Sequence, residues 1–198
     1  MYKTTILSQI LYLITFIFFG CKSVDEKINF SHQKINSNII IRSASDNKNS
    51  IIRIQFPSKL TLTNNSKICD IDFLVLEYKY ANIASTKNYN IAYYTENKGK
   101  LTRVKNNKKK TISPNTSIDY IVHTRHYVDS SRATQKHFEP YVDRMLKENK
   151  DTLHIGTVTE FKQKHKDLFE MLTKNDSISI QLLDNGKFGK RITVPIEW

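Results

Sequence analysis

Apolar and polar positions alternate along most of the chain from Asn29 to Val128, and a two-residue period is that of a strand with one face buried. Residues 38–44 are rich in Ile. Residues 50–56 set Ile52, Ile54 and Phe56 against Arg53 and Gln55, and Pro57 is predicted to end that strand. In 59–63, Leu60 and Leu62 face one way and Lys59, Thr61 and Thr63 the other. In 72–80, Leu74, Leu76, Tyr78 and Tyr80 share a face opposite Glu77 and Lys79. Residues 89–94 and 101–104 flank Asn97-Lys98-Gly99-Lys100, a predicted hairpin turn in which Gly takes the positive φ. Residues 118–128 place Ile118, Tyr120 and Val122 opposite Asp119, His123 and Arg125.

Beyond residue 130 the period lengthens. Thr157 and Glu160 have capping-box spacing, and Phe161, His165, Leu168 and Leu172 follow at helical intervals with Phe169 beside them. Lys162, Lys164, Lys166, Asp167 and Glu170 form the opposite face. A second helix is predicted within 131–150 on a stripe of Tyr141, Met145 and Leu146, with Pro140 either starting it or separating it from a turn. The chain closes on a hairpin: Ile178, Ile180 and Leu182 alternate, Asp184-Asn185-Gly186 turns, and Ile192, Val194 and Ile196 return. No internal repeat and no dividing linker interrupts residues 29–198. They are expected to form one β-rich α+β domain, an antiparallel sheet or an immunoglobulin-like sandwich with one or two helices before the C-terminal hairpin.

The N-terminus follows neither pattern. Residues 6–19 are nearly all apolar, preceded by Lys3 and followed by Gly20-Cys21. Fourteen residues of helix cover about 21 Å, short of the ~30 Å hydrocarbon core, so the run reads as an export signal rather than a permanent span. A small residue directly before a cysteine at the end of such a run resembles the lipobox of bacterial lipoproteins. Phe18 stands where Leu is usual, as in the relaxed, Bacteroidota-like form. The resemblance covers residues 1–21. It implies a signal peptide over 1–20, a diacylglyceryl thioether at Cys21, acylation (palmitate class) of the new amine, and a short tether over 21–28. Lys22 rather than Asp follows Cys21, which by the same resemblance favours the outer membrane, periplasmic or surface-facing. A lipidated Cys21 cannot enter a disulfide, and Cys69, at the entry to an apolar strand, is then expected to serve packing.

Composition narrows the chemistry. The 10 Phe and 10 Tyr exclude a solvated coil, and two Cys exclude a disulfide scaffold. The net charge is +12, and seven basic residues (Lys98, Lys100, Arg103, Lys105, Lys108, Lys109 and Lys110) lie in a stretch without acids, a candidate anion-binding patch or a solvated hairpin arm. Of 31 basic residues only seven are Arg, so bidentate reading of nucleic-acid bases is not expected. His123 and His126 differ by three, which on a strand puts them on opposite faces rather than on one metal. No zinc-protease spacing, nucleophile elbow, phosphate-binding loop or carboxylate dyad is present, and Asp70 and Asp72 lack the Gly and further oxygens of a calcium loop. No cofactor is implied. The many tyrosines offer either an aromatic binding face or ordinary cross-strand packing.

The expectation from sequence is therefore a lipid-anchored, non-enzymatic binding module whose partner is a protein or an anionic envelope ligand. A tethered immunity protein that blocks a toxin is one member of that class. The alternatives are an envelope hydrolase assembled from distant residues, with His123, His126 and Asp129 as its candidates, and a structural subunit of an envelope assembly.

Overall fold

A computed structural model describes residues 27–44, 48–80 and 91–198. The apolar N-terminal run, Gly20-Cys21 and Tyr89 lie outside them. Thirteen strands and four helices occur among the described residues. In chain order the first ten strands are β1 (Ile28–Lys34), β2 (Asn38–Ser43), β3 (Ile51–Gln55), β4 (Pro57–Asn64), β5 (Ile71–Lys79), β6 (Ala92–Asn97), β7 (Lys100–Arg103), β8 (Lys110–Ile112), β9 (Thr116–His123) and β10 (His126–Tyr127). Helices α1 (Arg132–Lys136) and α2 (Glu139–Lys147), strand β11 (Thr152–Thr157), helices α3 (Val158–Lys164) and α4 (Lys166–Thr173), and the hairpin β12 (Ser177–Asp184) and β13 (Lys187–Pro195) complete the chain.

Three antiparallel sheets result, ordered β1-β4-β9-β6-β7, β10-β3-β2-β11 and β13-β12-β5-β8. The first and third stack as a sandwich over Leu60, Leu62, Tyr93, Val122, Phe73, Leu76, Ile178 and Ile180. The second packs against the helices over Ile39, Ile41, Ile51, Ile54, Phe138, Met145, Phe161, Phe169 and Leu172. Both arrangements left open by the sequence are therefore present: a sandwich half and a sheet-and-helix half. Two strand pairs run from one into the other. The chain leaves the second sheet for the first at Phe56, between β3 and β4, and returns at Thr124–Arg125, between β9 and β10.

Local departures from the sequence reading have local causes. Pro57 starts β4 rather than only ending β3, because the chain passes directly between sheets there. Val75 pairs with Gln181 and Phe73 with Leu182, which leaves Leu74 as an extra residue. Leu76 and Tyr78 face inward as read, but across the bulge Phe73 is inward and Leu74 half out, opposite to the simple alternation. A similar slip opposite Arg42 and Ser43 buries Ile51 instead of Ile52. The predicted helix from Thr157 has its capping box, but it breaks at His165 (φ −132°) into α3 and α4. The α2 stripe is Val142 and Met145, with Tyr141 half-buried against the same core and Leu146 exposed. β11 had no strand reading, since flanking helical patterns masked its six residues. The two hairpin turns match expectation: Lys98-Gly99 and Asn185-Gly186 all have φ between 49° and 78°, the paired positive φ of a two-residue hairpin loop.

One end of the sandwich is closed by a buried side chain. Asn64 donates to the carbonyls of Cys69 (2.8 Å) and Ile112 (2.9 Å) and accepts from Ser66 N (2.8 Å). Removing those partners leaves buried polar groups unpaired, at ~1–3 kcal/mol in sum. Asn64→Ala is therefore expected to lower the urea midpoint by an amount equivalent to about 2 kcal/mol. Exposed Asn65→Ala, whose backbone N donates to Lys27 O, changes stability by less than ~0.5 kcal/mol. Equal effects of the two variants contradict this account.

Candidate functional site

The chain's crossing points are joined to each other. Thr124 N donates to Phe56 O (3.1 Å), and Phe56 N donates to Thr124 Oγ1 (2.9 Å). From there a line of polar side chains runs through the protein interior. Thr124 Oγ1 lies 2.9 Å from His126 Nδ1, and His126 Nε2 lies 2.7 Å from Asp176 Oδ2. Tyr78 OH donates to the same oxygen at 2.7 Å, and Trp198 Nε1 donates to Tyr78 OH at 3.2 Å. With His126 neutral, Thr124 gives its proton to Nδ1 and the ring gives Nε2–H to Asp176, so every donor in the line has an acceptor. Burial, and then the Asp176 charge, push the Tyr78 phenol well above its ordinary value, so it stays a donor.

Hydroxyl, imidazole and carboxylate follow one another here as in nucleophilic hydrolases, but the setting differs. Thr124, His126 and Asp176 are 0%, 2% and 0% exposed, and Phe56 and Tyr80 pack their rings on His126, with Phe161 and Trp198 behind Phe56. The hydroxyl has no approach for a substrate. The line works as a staple between the two halves. Thr124 lies in the crossing between β9 and β10 and His126 begins β10, both with buried side chains. Asp176 lies in the turn before β12 and Tyr78 on β5, and nothing in the sequence joins either to His126.

The residues singled out as a hydrolase set do not meet. His126 faces inward on Asp176, whereas His123 lies on the outer face of the five-stranded sheet, edge-on to Tyr94 at 5.7 Å. Asp129 accepts from Ser131 N and Thr134 Oγ1 at the start of α1. Among the described residues, no three His, Cys, Asp or Glu side chains converge as a metal set. A pair does occur elsewhere: His137 and His165 bring Nδ1 atoms to 3.2 Å, where α1 meets the α3–α4 break. Burial, then His137 and Lys164, hold the His165 imidazole below its ordinary value.

An open concavity lies on the outer face of the five-stranded sheet. One part, about 570 Å³, is lined by Lys59, Thr95, Glu96, Lys98, Ser117 and Asp119 among others. An adjoining part, about 610 Å³, shares Lys59, Glu96, Gly99 and Ile121 with it and continues to Asn36, Ser37, Asn38, His123 and His154. The β6–β7 ribbon forms one wall of this trough and the turn between β1 and β2 its far end. Its floor is ordered. Lys59 Nζ pairs with Asp119 Oδ2 at 2.7 Å, Thr61 donates to Asp119 Oδ1 at 2.6 Å, and Thr63 and Ser117 hydroxyls meet at 2.8 Å. Lys59, and then Thr61, hold the Asp119 carboxyl below its usual range. Burial, and then the His154 charge, lower the His123 imidazole. His154 is on β11.

The seven basic residues of the candidate patch fall into three settings. Lys98 and Lys100 sit at the β6–β7 turn beside the trough, and Arg103 and Lys105 follow at the end of β7. Lys108 is exposed at the approach to β8, while Lys109 pairs with Asp72 at 2.9 Å. Lys110 turns inward: its ammonium donates to the carbonyls of Leu74, Asn106 and Lys108 and stands over Phe73 and Tyr93. Burial lowers its ordinary value. Asn106 extends the same repair, accepting from Leu76 N and donating to Leu76 O, so this segment completes the free side of β5. Cys69 is half-buried in the loop before β5.

Three imidazoles, His32, His123 and His165, are lowered chiefly by burial. A depressed imidazole binds fewer protons folded than unfolded, so its contribution is complete above pH ~6.5 and is lost as pH falls below it. Asp72, Asp119 and Asp129, lowered by hydrogen bonds, add a second loss that begins only below pH ~4. Urea midpoints should thus decline in two stages on acidification, and His123→Gln together with His165→Gln should flatten the first. His126→Ala, which strips the Asp176 carboxylate of a partner, is expected to cost about 3 kcal/mol at pH 7, against less than ~1 kcal/mol for His123→Ala. Similar costs for the two would contradict the staple. Comparison with protein-family models, with curated proteins and with solved structures returns no match, so the function is read from this geometry.

Proposed function

We propose that this chain is an outer-membrane-anchored lipoprotein that works as a non-enzymatic binding module, holding a protein segment in the trough on its five-stranded sheet. The observation that carries the binding reading is the contrast between the two polar constellations. The hydroxyl–imidazole–carboxylate line is sealed and structural, whereas the trough is open, ordered and lined by charges of both signs. A protein segment supplies carboxylates, ammonium groups and main-chain amides together, which suits Lys59, Glu96, Lys98 and Asp119 better than a purely anionic ligand does. Lys109 and Lys110 are committed to internal partners, which weakens the case for a continuous anion patch. Occlusion of a toxin by a tethered immunity protein belongs to this class of binding, since it requires complementarity and no chemistry. The anchor reading rests on residues 6–21 of the sequence alone.

Two measurements test this reading. Labelled palmitate is expected to enter the full-length chain and to be lost in Cys21→Ser, with a matching shift from the membrane to the soluble fraction. Label in both, or in neither, removes the anchor. A photoreactive residue at Leu101, in the trough wall, is expected to give a discrete protein adduct in intact envelopes that Asp119→Arg abolishes. No adduct, or one indifferent to Asp119→Arg, removes the trough as the binding surface.

A further inference from the structure

Two large apolar side chains stand almost fully in solvent, Ile68 (85% exposed) and Phe188 (74%). They are far apart in sequence, but the register places both toward one end of the sandwich. Ile28 pairs with Asn64, and Asn65 N donates to Lys27 O at 2.7 Å, so the described chain enters beside the loop that carries Ile68. Asp72 pairs with Leu183, and Leu183 with Phe188, so the β12–β13 turn reaches the same end. The loop is not loosely hung. Ser66 Oγ accepts from the backbone N–H groups of Ile68 and Cys69, Asn64 holds the Cys69 carbonyl, and Asn115 N donates to Ser66 O. This bracing holds Ile68 outward at fixed geometry. Isolated exposed apolar residues are ordinary on a surface, but two at the end where the chain enters are a patterned feature.

We infer that this end is a bilayer-contacting face, with Ile68 and Phe188 seated in the lipid interface. The inference rests on the lipid-anchor reading of Cys21. Lys27 is six residues beyond Cys21, and a chain of that length reaches about 20 Å at full extension, so an anchored Cys21 keeps the Ile68 loop near the membrane. Lys67 and Lys187 flank the apolar tips, with Asp70 and Asp184 beside them, giving an apolar point inside a polar rim as headgroup contact requires. Strand β1 runs away from this face, and the turn after it closes the far end of the trough. The contact fixes the tilt of the anchored body, and it turns the trough's far end away from the bilayer.

The test uses the full-length lipidated protein in vesicles of phosphatidylethanolamine and phosphatidylglycerol carrying brominated acyl chains. Tryptophan emission is read for Ile68→Trp, Phe188→Trp and, as reference, Leu101→Trp, each against the unsubstituted protein with its single Trp198. Quenching at 68 and 188 is expected to exceed that at 101 by about twofold or more, as for side chains about 5–10 Å into the headgroup–acyl boundary. Complete flotation with the vesicles but equal or absent quenching at the three sites overturns the face and leaves the anchor standing. Absence of both palmitate and flotation overturns the anchor, and the face with it. Unquenched emission at 68 and 188, with a discrete protein adduct from a photoreactive residue at either site, assigns the surface to a protein and also overturns the proposal.

Discussion

The fold depends on a double crossing. Two strand pairs leave one sheet for another at Phe56 and at Thr124, and both crossings must be held while their backbone groups turn away from regular ladders. Buried main-chain donors and acceptors cannot be left unpaired, so the bend demands polar side chains in the interior. Thr124 answers Phe56, His126 orients Thr124, and Asp176 closes the line by accepting from His126 and Tyr78. Asp176 also binds the end of α4 through Thr173 O and the end of β13 through Ile196 N. One residue thus ties together a strand of each half through its carboxylate, and a helix and the terminal hairpin through its backbone. Trp198 packs against both apolar cores at the same place.

This constraint decides which polar residues are available for binding. The groups most suggestive of chemistry are consumed by the bend, and their burial fits them for rigidity rather than turnover. The five-stranded sheet, supported from behind by the sandwich core, is then a stiff platform whose outer face is shaped by the β6–β7 ribbon. A preorganised platform loses less conformational freedom on association than a mobile one, so paired charges such as Lys59 and Asp119 are well suited to recognition. The same sandwich has two distinct ends, one beside Lys27 and one at the turn between β1 and β2, and the binding and anchoring roles proposed above divide between them.

Much of the β-rich α+β fold was legible because its signals are local. Gly99 and Gly186 announce their turns, Leu60 and Leu62 show their face through an unbroken period, and Thr157 with Glu160 marks a helix start. What was hidden is non-local. Leu74 and Ile52 are displaced by bulges that depend on the opposing strand, which the sequence of one strand does not contain. His165 breaks a helix whose apolar spacing continues through the break, so periodicity alone joins α3 and α4. The pairing of His126 with Asp176 spans fifty residues and arises only from the crossing, and the trough arises from the placement of the β6–β7 ribbon over strands that look alike in sequence. Lys110 reads as one more base in a charged run, yet it repairs the bulge carbonyl of Leu74.

Native-state hydrogen exchange resolved by residue tests the central claim most directly. If the Thr124–His126–Asp176 line joins both halves into one cooperative unit, the amides of Phe56, Thr124 and Ile196 will exchange only through global unfolding, with the same free energy as the innermost amides of β4 and β12. Exchange of the sheet-and-helix half at a distinctly lower free energy than the sandwich, with Phe56 and Thr124 following the weaker half, would contradict it.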